Sequence, residues 1–275
     1  MAYVHPGDGA LDYSPCRYGM SKLVFRGPQR SPAGVFCATL GGTETYGKFV
    51  REPYPTLLEY ELEMPVLNLG CVNAGPDAFL QDPSILEIAS RAQVAVIQVM
   101  GAQNLSNRYY GVHPRRNDRF LSASPLLRAM FQEVDFTEFH FTRHMLQTLQ
   151  AIDANRFEIV AEELRASWVR RMQKVMERVA THKVVVWMAG RAPPKPGART
   201  DLHQDPILVD AEMISELKSY ASAYVECVVS PAARAEGMRG MAFAPTEAQA
   251  AREMPGPAFH RDVVRALLPV VNMLI

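Results

Sequence analysis

A hydroxyl and a carboxyl side chain follow the first apolar run of the chain. Residues 41–48 read Gly-Gly-Thr-Glu-Thr-Tyr-Gly-Lys, directly after the apolar residues 34–40. Thr43 is a candidate nucleophile and Glu44 a candidate acid or base, because a hydroxyl needs an adjacent proton acceptor before it can attack. Glycines on both sides favour a tight turn. The turn is therefore the first candidate for an active site.

Part of the same turn also matches a phosphate-binding loop. Gly42, Gly47 and Lys48 fit the pattern GxxxxGK after a predicted strand. However, Phe49 stands where such a loop carries the Ser or Thr that holds magnesium. Pro53 would also break the helix whose N-terminus must hold the anion. The pattern favours a nucleophile turn over a phosphate loop.

The elements that must position this turn alternate regularly. Apolar runs predict five strands, at 34–40, 66–69, 94–100, 183–188 and 224–229. Capped or amphipathic segments predict helices between them, at 56–62, 82–92, 155–182, 210–221 and 257–272. This order indicates a three-layer α/β/α fold with a parallel sheet covered on both faces. Such sheets bind ligands at the carboxyl ends of their strands.

We expect residues 1–275 to form a single α/β domain. Residues 1–33 are rich in turn signals and are predicted to be an N-terminal arm that wraps the domain. Residues 105–182 interrupt the strand–helix alternation. They are predicted to be a helical insert that covers one edge or forms a lid.

Composition narrows the class of protein. Lys plus Arg equals Asp plus Glu, 29 each, which argues against a nucleic-acid-binding protein. With no signal-peptide-like or membrane-spanning run, we expect a cytoplasmic protein that does not insert into membranes. The 4 cysteines are far apart, so free thiols and no zinc site are expected. A homo-oligomer is possible.

Three segments resemble the SGNH (GDSL) hydrolase superfamily. That family has Gly-Asp-Ser-x-Thr-x-Gly after its first strand, followed by Tyr-Pro and Leu-Leu, and residues 40–47 and 54–59 are similar. Residues 68–70, Asn-Leu-Gly, resemble its second block, and residues 101–104, Gly-Ala-Gln-Asn, its third. The resemblance implies a five-stranded parallel sheet of flavodoxin-like order. It also implies an esterase or acyltransferase that needs no cofactor, acting on a small molecule or glycan such as an acylated saccharide.

The resemblance also implies roles for individual residues. Thr43 occupies the position of the serine nucleophile, and Gly42 that of the neighbouring aspartate. The Gly70 amide and the side chain of Gln103 would bind the oxyanion. With a slip of one residue, Asn104 would replace Gln103.

The last block of the family, Asp-x-x-His, is missing. Residues 251–254 read Ala-Arg-Glu-Met, so Met254 stands where the base is expected. His203 and His260 are therefore candidate substitute bases, and Glu44 is a third. A protein with no base at all stays open as well, which would be a glycan- or protein-binding relative that has lost the chemistry.

Two further groups of residues are candidates for binding. Arg115, Arg116 and Arg119 could hold an anionic substrate together with Asn107, since guanidinium groups pair with carboxylate or phosphate. A salt-bridged turn is the alternative. His140 and His144 have the spacing of metal ligands on a helix, but packing beside aromatic side chains is favoured, and no metal is expected.

Four segments are also similar to an uncharacterised bacterial family. They are Asp12–Gly19, Phe25–Arg30, Gly41–Val50 and His113–Phe120. This resemblance brings no established activity.

Overall fold

The computed structural model describes residues 9–198 and 200–275. Residues 1–8 of the predicted arm lie outside this described part. The strands are β1 (Cys37–Gly41), β2 (Val66–Gly70), β3 (Val94–Gln98), β4 (Tyr110–His113), β5 (Arg116–Ala123), β6 (His182–Ala189) and β7 (Ala223–Val228). The helices are α1 (Thr43–Tyr46), α2 (Tyr54–Leu62), α3 (Pro76–Leu80), α4 (Pro83–Ser90), α5 (Pro125–Met130), α6 (Thr142–Ile152), α7 (Ala154–Arg178), α8 (Ala211–Lys218), α9 (Pro231–Glu236), α10 (Ala248–Arg252) and α11 (Pro257–Leu274).

A parallel sheet in the order β2-β1-β3-β6-β7 forms the middle layer. Its strands are apolar along their length because both faces are covered. Strand order reverses between β1 and β3, which is where sheets of this type bind ligands. The predicted α/β/α fold with flavodoxin-like strand order is confirmed.

The two faces of the sheet carry different helices. On one face, Leu58 of α2 and Val263 of α11 belong to the same buried apolar cluster as the sheet residues facing them. On the other face, Ile85 of α4 and Trp168 of α7 belong to a larger cluster that includes the insert. Within the described residues, no helix is long and apolar enough to cross a membrane.

The predicted helical insert at 105–182 is only partly helical. Its first part is the antiparallel hairpin of β4 and β5, which pairs apart from the main sheet. The polar sequence of this hairpin lacks the strict apolar alternation that signals a strand, which is why it was missed. The hairpin is also anchored, because Asn117 Oδ1 accepts hydrogen bonds from Gly75 N (3.1 Å) and Ala78 N (3.0 Å).

The described part of the arm supports the turn after β1. Tyr18, Leu23 and Phe25 are buried in the core. The buried Arg26 guanidinium donates to Gly47 O and Arg51 O, both at 2.6 Å. The arm therefore fixes the chain just beyond α1.

Candidate active site

A cleft of about 800 Å³ opens at the carboxyl ends of β1, β3 and β6. Thr43 and Glu44 line it from α1, a helix of one turn. The start of α6 and residues 203–206 contribute further lining, and so does the segment that leads into α11. The volume is within the range of small-molecule sites, about 300–1,000 Å³. The cleft lies where the fold predicts a ligand site.

Gln98, the last residue of β3, holds the turn that carries Thr43 and Glu44. Its side-chain Oε1 accepts hydrogen bonds from Gly42 N (3.0 Å), Thr45 N (3.2 Å) and Thr45 Oγ1 (2.6 Å). Its Nε2 donates to Glu44 Oε2 (2.7 Å). A buried amide that satisfies this many groups makes the turn rigid.

The Thr43 hydroxyl is engaged by Asn73, which is not a base. Thr43 Oγ1 accepts from Asn73 N (2.9 Å) and donates to Asn73 Oδ1 (3.1 Å). Asn73 Nδ2 donates in turn to Asp118 Oδ2 (3.0 Å) on β5. No histidine of the described residues bonds to this hydroxyl, and an amide cannot take up its proton. The hydroxyl–histidine pair that the family resemblance implies is not assembled.

The Glu44 carboxyl is the titratable group beside Thr43. Its Oε2 lies only 3.2 Å from the place a Cβ at Gly42 would occupy, so the glycine leaves room for it. Burial raises the pKa of the Glu44 carboxyl, and the nearby Asp205 raises it further. The Gln98 hydrogen bond and Arg143 act in the opposite direction. A carboxyl with a raised pKa in a cleft is a candidate for proton transfer.

Two of the three predicted oxyanion-binding groups are engaged elsewhere. Gly70 N donates to Asn68 Oδ1 (2.9 Å), so its assignment as an oxyanion donor is wrong for this structure. Asn104 donates from Nδ2 to Asn73 O (3.0 Å) and accepts at Oδ1 from Thr142 Oγ1 (2.8 Å).

Gln103 differs from them. It lines the cleft, and its buried Oε1 has no hydrogen-bond partner among the described residues. The free Oε1 is an acceptor, so a role as oxyanion donor, which stays a prediction for Gln103, would fall to its Nε2.

The two histidines predicted as substitute bases differ in their position relative to the cleft. His260 is buried and does not line the cleft, and its Nδ1 accepts from Tyr54 N (3.1 Å). Burial lowers the pKa of His260 from 6.5 to about 3, so its assignment as base is wrong. His203 does line the cleft, where its Nδ1 lies 3.3 Å from Gln147 Nε2.

The predicted anionic-substrate pocket does not form around the cleft. Arg115 lines a separate, smaller cavity, and Arg116 is exposed near the tip of the β4–β5 hairpin. Arg119 does not line the cleft, and its guanidinium carbon lies 4.2 Å from the centre of the Phe141 ring. Asn107 Oδ1 accepts main-chain hydrogen bonds and shapes a turn. The four residues are therefore not brought together at the cleft, because the arginines belong to a hairpin that pairs apart from the main sheet.

The described residues form neither a phosphate-binding loop nor a metal site. Lys48 lies 3.5 Å from Glu247, and α1 ends after one turn at Gly47. His144 lines the cleft and packs its edge against Phe139 (5.1 Å between ring centres). Within the described ranges, no group of three His, Cys, Asp or Glu side chains is placed to hold a metal ion.

Sequence reasoning missed several residues that shape the cleft. Asn73 and Gln98 organise Thr43 and Glu44, and Arg143 forms an ion pair with Asp205 within the cleft. The sequence did indicate that Gln98 is unusual, because it is the lone strongly polar side chain in the apolar run 94–100. The sequence gives no indication of the ion pair, since its two partners come from distant parts of the chain.

The chain belongs to the family described as "Domain of unknown function (DUF6473)", whose model matches residues 1–275. A comparison with curated proteins found no match. Several solved structures are similar at low identity. The α/β hydrolase LAE5 from the metagenome of Lake Arreo is 11% identical, with a TM-score of 0.43 over 88% of this chain and 97% of that one.

Two carbohydrate-active enzymes are similar to the same degree. A carbohydrate esterase family 2 enzyme of Corynascus thermopiles is 10% identical, with a TM-score of 0.44 over 90% of this chain and 69% of that one. A catalytic mutant of Axe2, an acetylxylan esterase from Geobacillus stearothermophilus, is 12% identical, with a TM-score of 0.42 over 87% of this chain and 94% of that one. These values support no particular activity, and the fold class rests on the strand order of this chain.

Proposed function

We propose that the cleft is the active site of an esterase-type hydrolase or acyltransferase in which Glu44 moves the proton. The observation that carries this proposal is the position of the Glu44 carboxyl. It lines the cleft, it is held by Gln98 Nε2 at 2.7 Å, and its pKa is raised. The substrate is an ester of a small hydroxyl compound or glycan.

Glu44 acts as a general base in the proposed hydrolysis. Its carboxylate takes a proton from water while the water oxygen bonds to the ester carbonyl carbon. The acyl–oxygen bond then breaks, and the leaving alkoxide receives the proton back from Glu44. An alcohol in place of water gives acyl transfer. Gln103 is the proposed donor to the developing oxyanion.

In this mechanism Thr43 does not attack the ester. It helps to position the residues of the site. Both its hydroxyl hydrogen and a lone pair are used by Asn73, so it has no base to accept its proton. This differs from the nucleophile role that the family resemblance implies for the residue.

The experiment compares hydrolysis of p-nitrophenyl acetate and butyrate by the wild type, Glu44→Gln and Thr43→Val. We expect Glu44→Gln to lose about 100-fold or more in kcat/KM, a typical contribution of a general base. Thr43→Val, which keeps the shape, should lose far less. A variant Glu44→Gln with wild-type activity, or a wild type without activity, would contradict the proposal.

A second candidate is a binding protein without catalysis. The engagement of Thr43 by Asn73, with no histidine bonded to it among the described residues, favours this function. Glycan-array binding by a protein that cleaves none of the esters would support it.

A further inference from the structure

The part of the cleft beyond β6 and β7 has a different lining from the part around Glu44. Its apolar side chains come from the ends of these strands, from α10 and the residues after it, and from the first turn of α11: Met188, Ala189, Val229, Ala250, Met254 and Phe259. We call these six residues the apolar half of the cleft. The polar half is Thr43, Glu44, Asn73, Gln98, Gln103 and Asn104.

The apolar half has a closed floor and an open side. Met188 and Phe259 are 3% and 2% exposed, so they form the floor. Val229 and Met254 are partly exposed and Ala250 is exposed, which leaves apolar surface on the open side. When an apolar ligand group binds and covers such surface, its burial contributes favourably to the free energy of binding.

Charged groups also line this part of the cleft. Arg234 Nη2 donates to Gly190 O (2.8 Å), and Glu253 is exposed to solvent. Lys48 also lines the cleft, and its ammonium lies 3.5 Å from Glu247 Oε1. Among the described residues, the cations of this lining are accompanied by carboxylates, which disfavours a carboxylate or phosphate ligand, whereas a neutral apolar chain needs no charged partner.

We propose that the apolar half binds the acyl chain of the ester, and that Met254 contacts this chain. The inference rests on the proposed function, because it assigns the two halves to the two parts of one ester. The halves are continuous, so a carbonyl group near Glu44 would direct its chain towards Met254. Methionine side chains are flexible and polarisable, which suits them to cover a straight chain. A cleft of about 800 Å³ also holds more than an acetyl group.

The test measures binding apart from turnover, with neutral amides that are not esters. Isothermal titration calorimetry compares octanamide with propanamide on the wild type, Met254→Gln and the control Met273→Gln. Met273 is 74% exposed on α11 and does not line the cleft. Five buried methylenes give an expected affinity ratio of about 100-fold or more in the wild type.

Met254→Gln should lower this ratio about tenfold, because the chain then meets an amide, while Met273→Gln should keep the ratio of the wild type. If Met254→Gln does not fold, Ala250→Glu provides the same test from an exposed position. Equal affinities of the wild type for the two amides would overturn the proposal. So would an unchanged ratio in a folded Met254→Gln protein.

The same assay separates this inference from the proposed function. If octanamide binds as expected but no ester is cleaved, the result supports acyl-chain binding in the apolar half and contradicts the proposed hydrolysis. Ester cleavage by Glu44 with equal rates for acetyl and octanoyl esters would contradict the acyl-binding half and leave the hydrolysis standing.

Discussion

The polar and apolar halves of the cleft are built on the same sheet edge but are held in different ways. In the polar half, side chains other than that of Gln103 are bonded to one another or to main-chain atoms, as Gln98 is to Glu44 and to the turn. In the apolar half, the flexible side chains of Met188 and Met254 line the cleft and are not fixed by hydrogen bonds. The first arrangement suits chemistry that needs fixed distances, and the second suits adaptable binding. One edge of a parallel sheet thus provides both.

Close packing at Gly70 contributes to the rigidity of the polar half. A Cβ on Gly70 would lie 2.3 Å from Tyr46 N, a main-chain atom of α1. Gly190, directly after β6, has no atom of the described residues within 4 Å of its Cβ position. We expect Gly70→Ala to lower the free energy of unfolding by about 3 kcal/mol or more, because the backbone of α1 must shift. Urea denaturation measures this change.

The matched control for this prediction is Gly190→Ala, which should leave stability within about 0.5 kcal/mol of the wild type. Equal effects of the two substitutions would show that the turn after β1 is not held by its contact with β2.

A smaller loss is expected when the organising amide is removed. Gln98→Leu leaves Gly42 N and Thr45 N without their acceptor inside the fold. We expect a loss of about 2–3 kcal/mol, the cost of unsatisfied buried donors. The control is Gln93→Leu, at an exposed position one residue before β3, which should change little. A stable Gln98→Leu protein would argue against a rigid polar half.

The smallest of these effects concerns His260, a buried residue of α11, the helix that closes the fold. Its pKa is lowered to about 3 by burial, so the folded protein holds it neutral while the unfolded chain protonates it below about 6.5. Its contribution to stability is therefore lost as the pH falls from about 6.5 towards 3. His260→Phe should lose about 1–2 kcal/mol at pH 7, since Tyr54 N loses its acceptor.

The pH dependence is the sharper part of this prediction. The stability difference between the wild type and His260→Phe should shrink as the pH is lowered from 7 to 4. Thermal unfolding at several pH values measures it, with the exposed His182→Phe as the control. A difference that stays constant would show that His260 is not held neutral.

The sequence predicted the sheet because its strands are continuous apolar runs, a pattern that follows from burial on both faces. It also predicted Thr43 and Glu44 at the cleft, because the carboxyl end of β1 fixes where that turn lies. It did not predict Asn73 as the partner of Thr43, which depends on the path of the chain after β2. Of the three candidate bases, Glu44 and His203 line the cleft, whereas His260 packs against Tyr54. The place of the missing histidine holds Met254, which also lines the cleft.

The pH dependence of kcat/KM for p-nitrophenyl butyrate, in the wild type and Glu44→Gln, tests the central claim most directly. Because the carboxylate is the active form of a general base, activity should rise with pH through a pKa above the ordinary 4.5 of a glutamate. Glu44→Gln should lose this rise together with most of the activity. A rise of the same size and midpoint in Glu44→Gln would assign the proton transfer to another group and contradict the account.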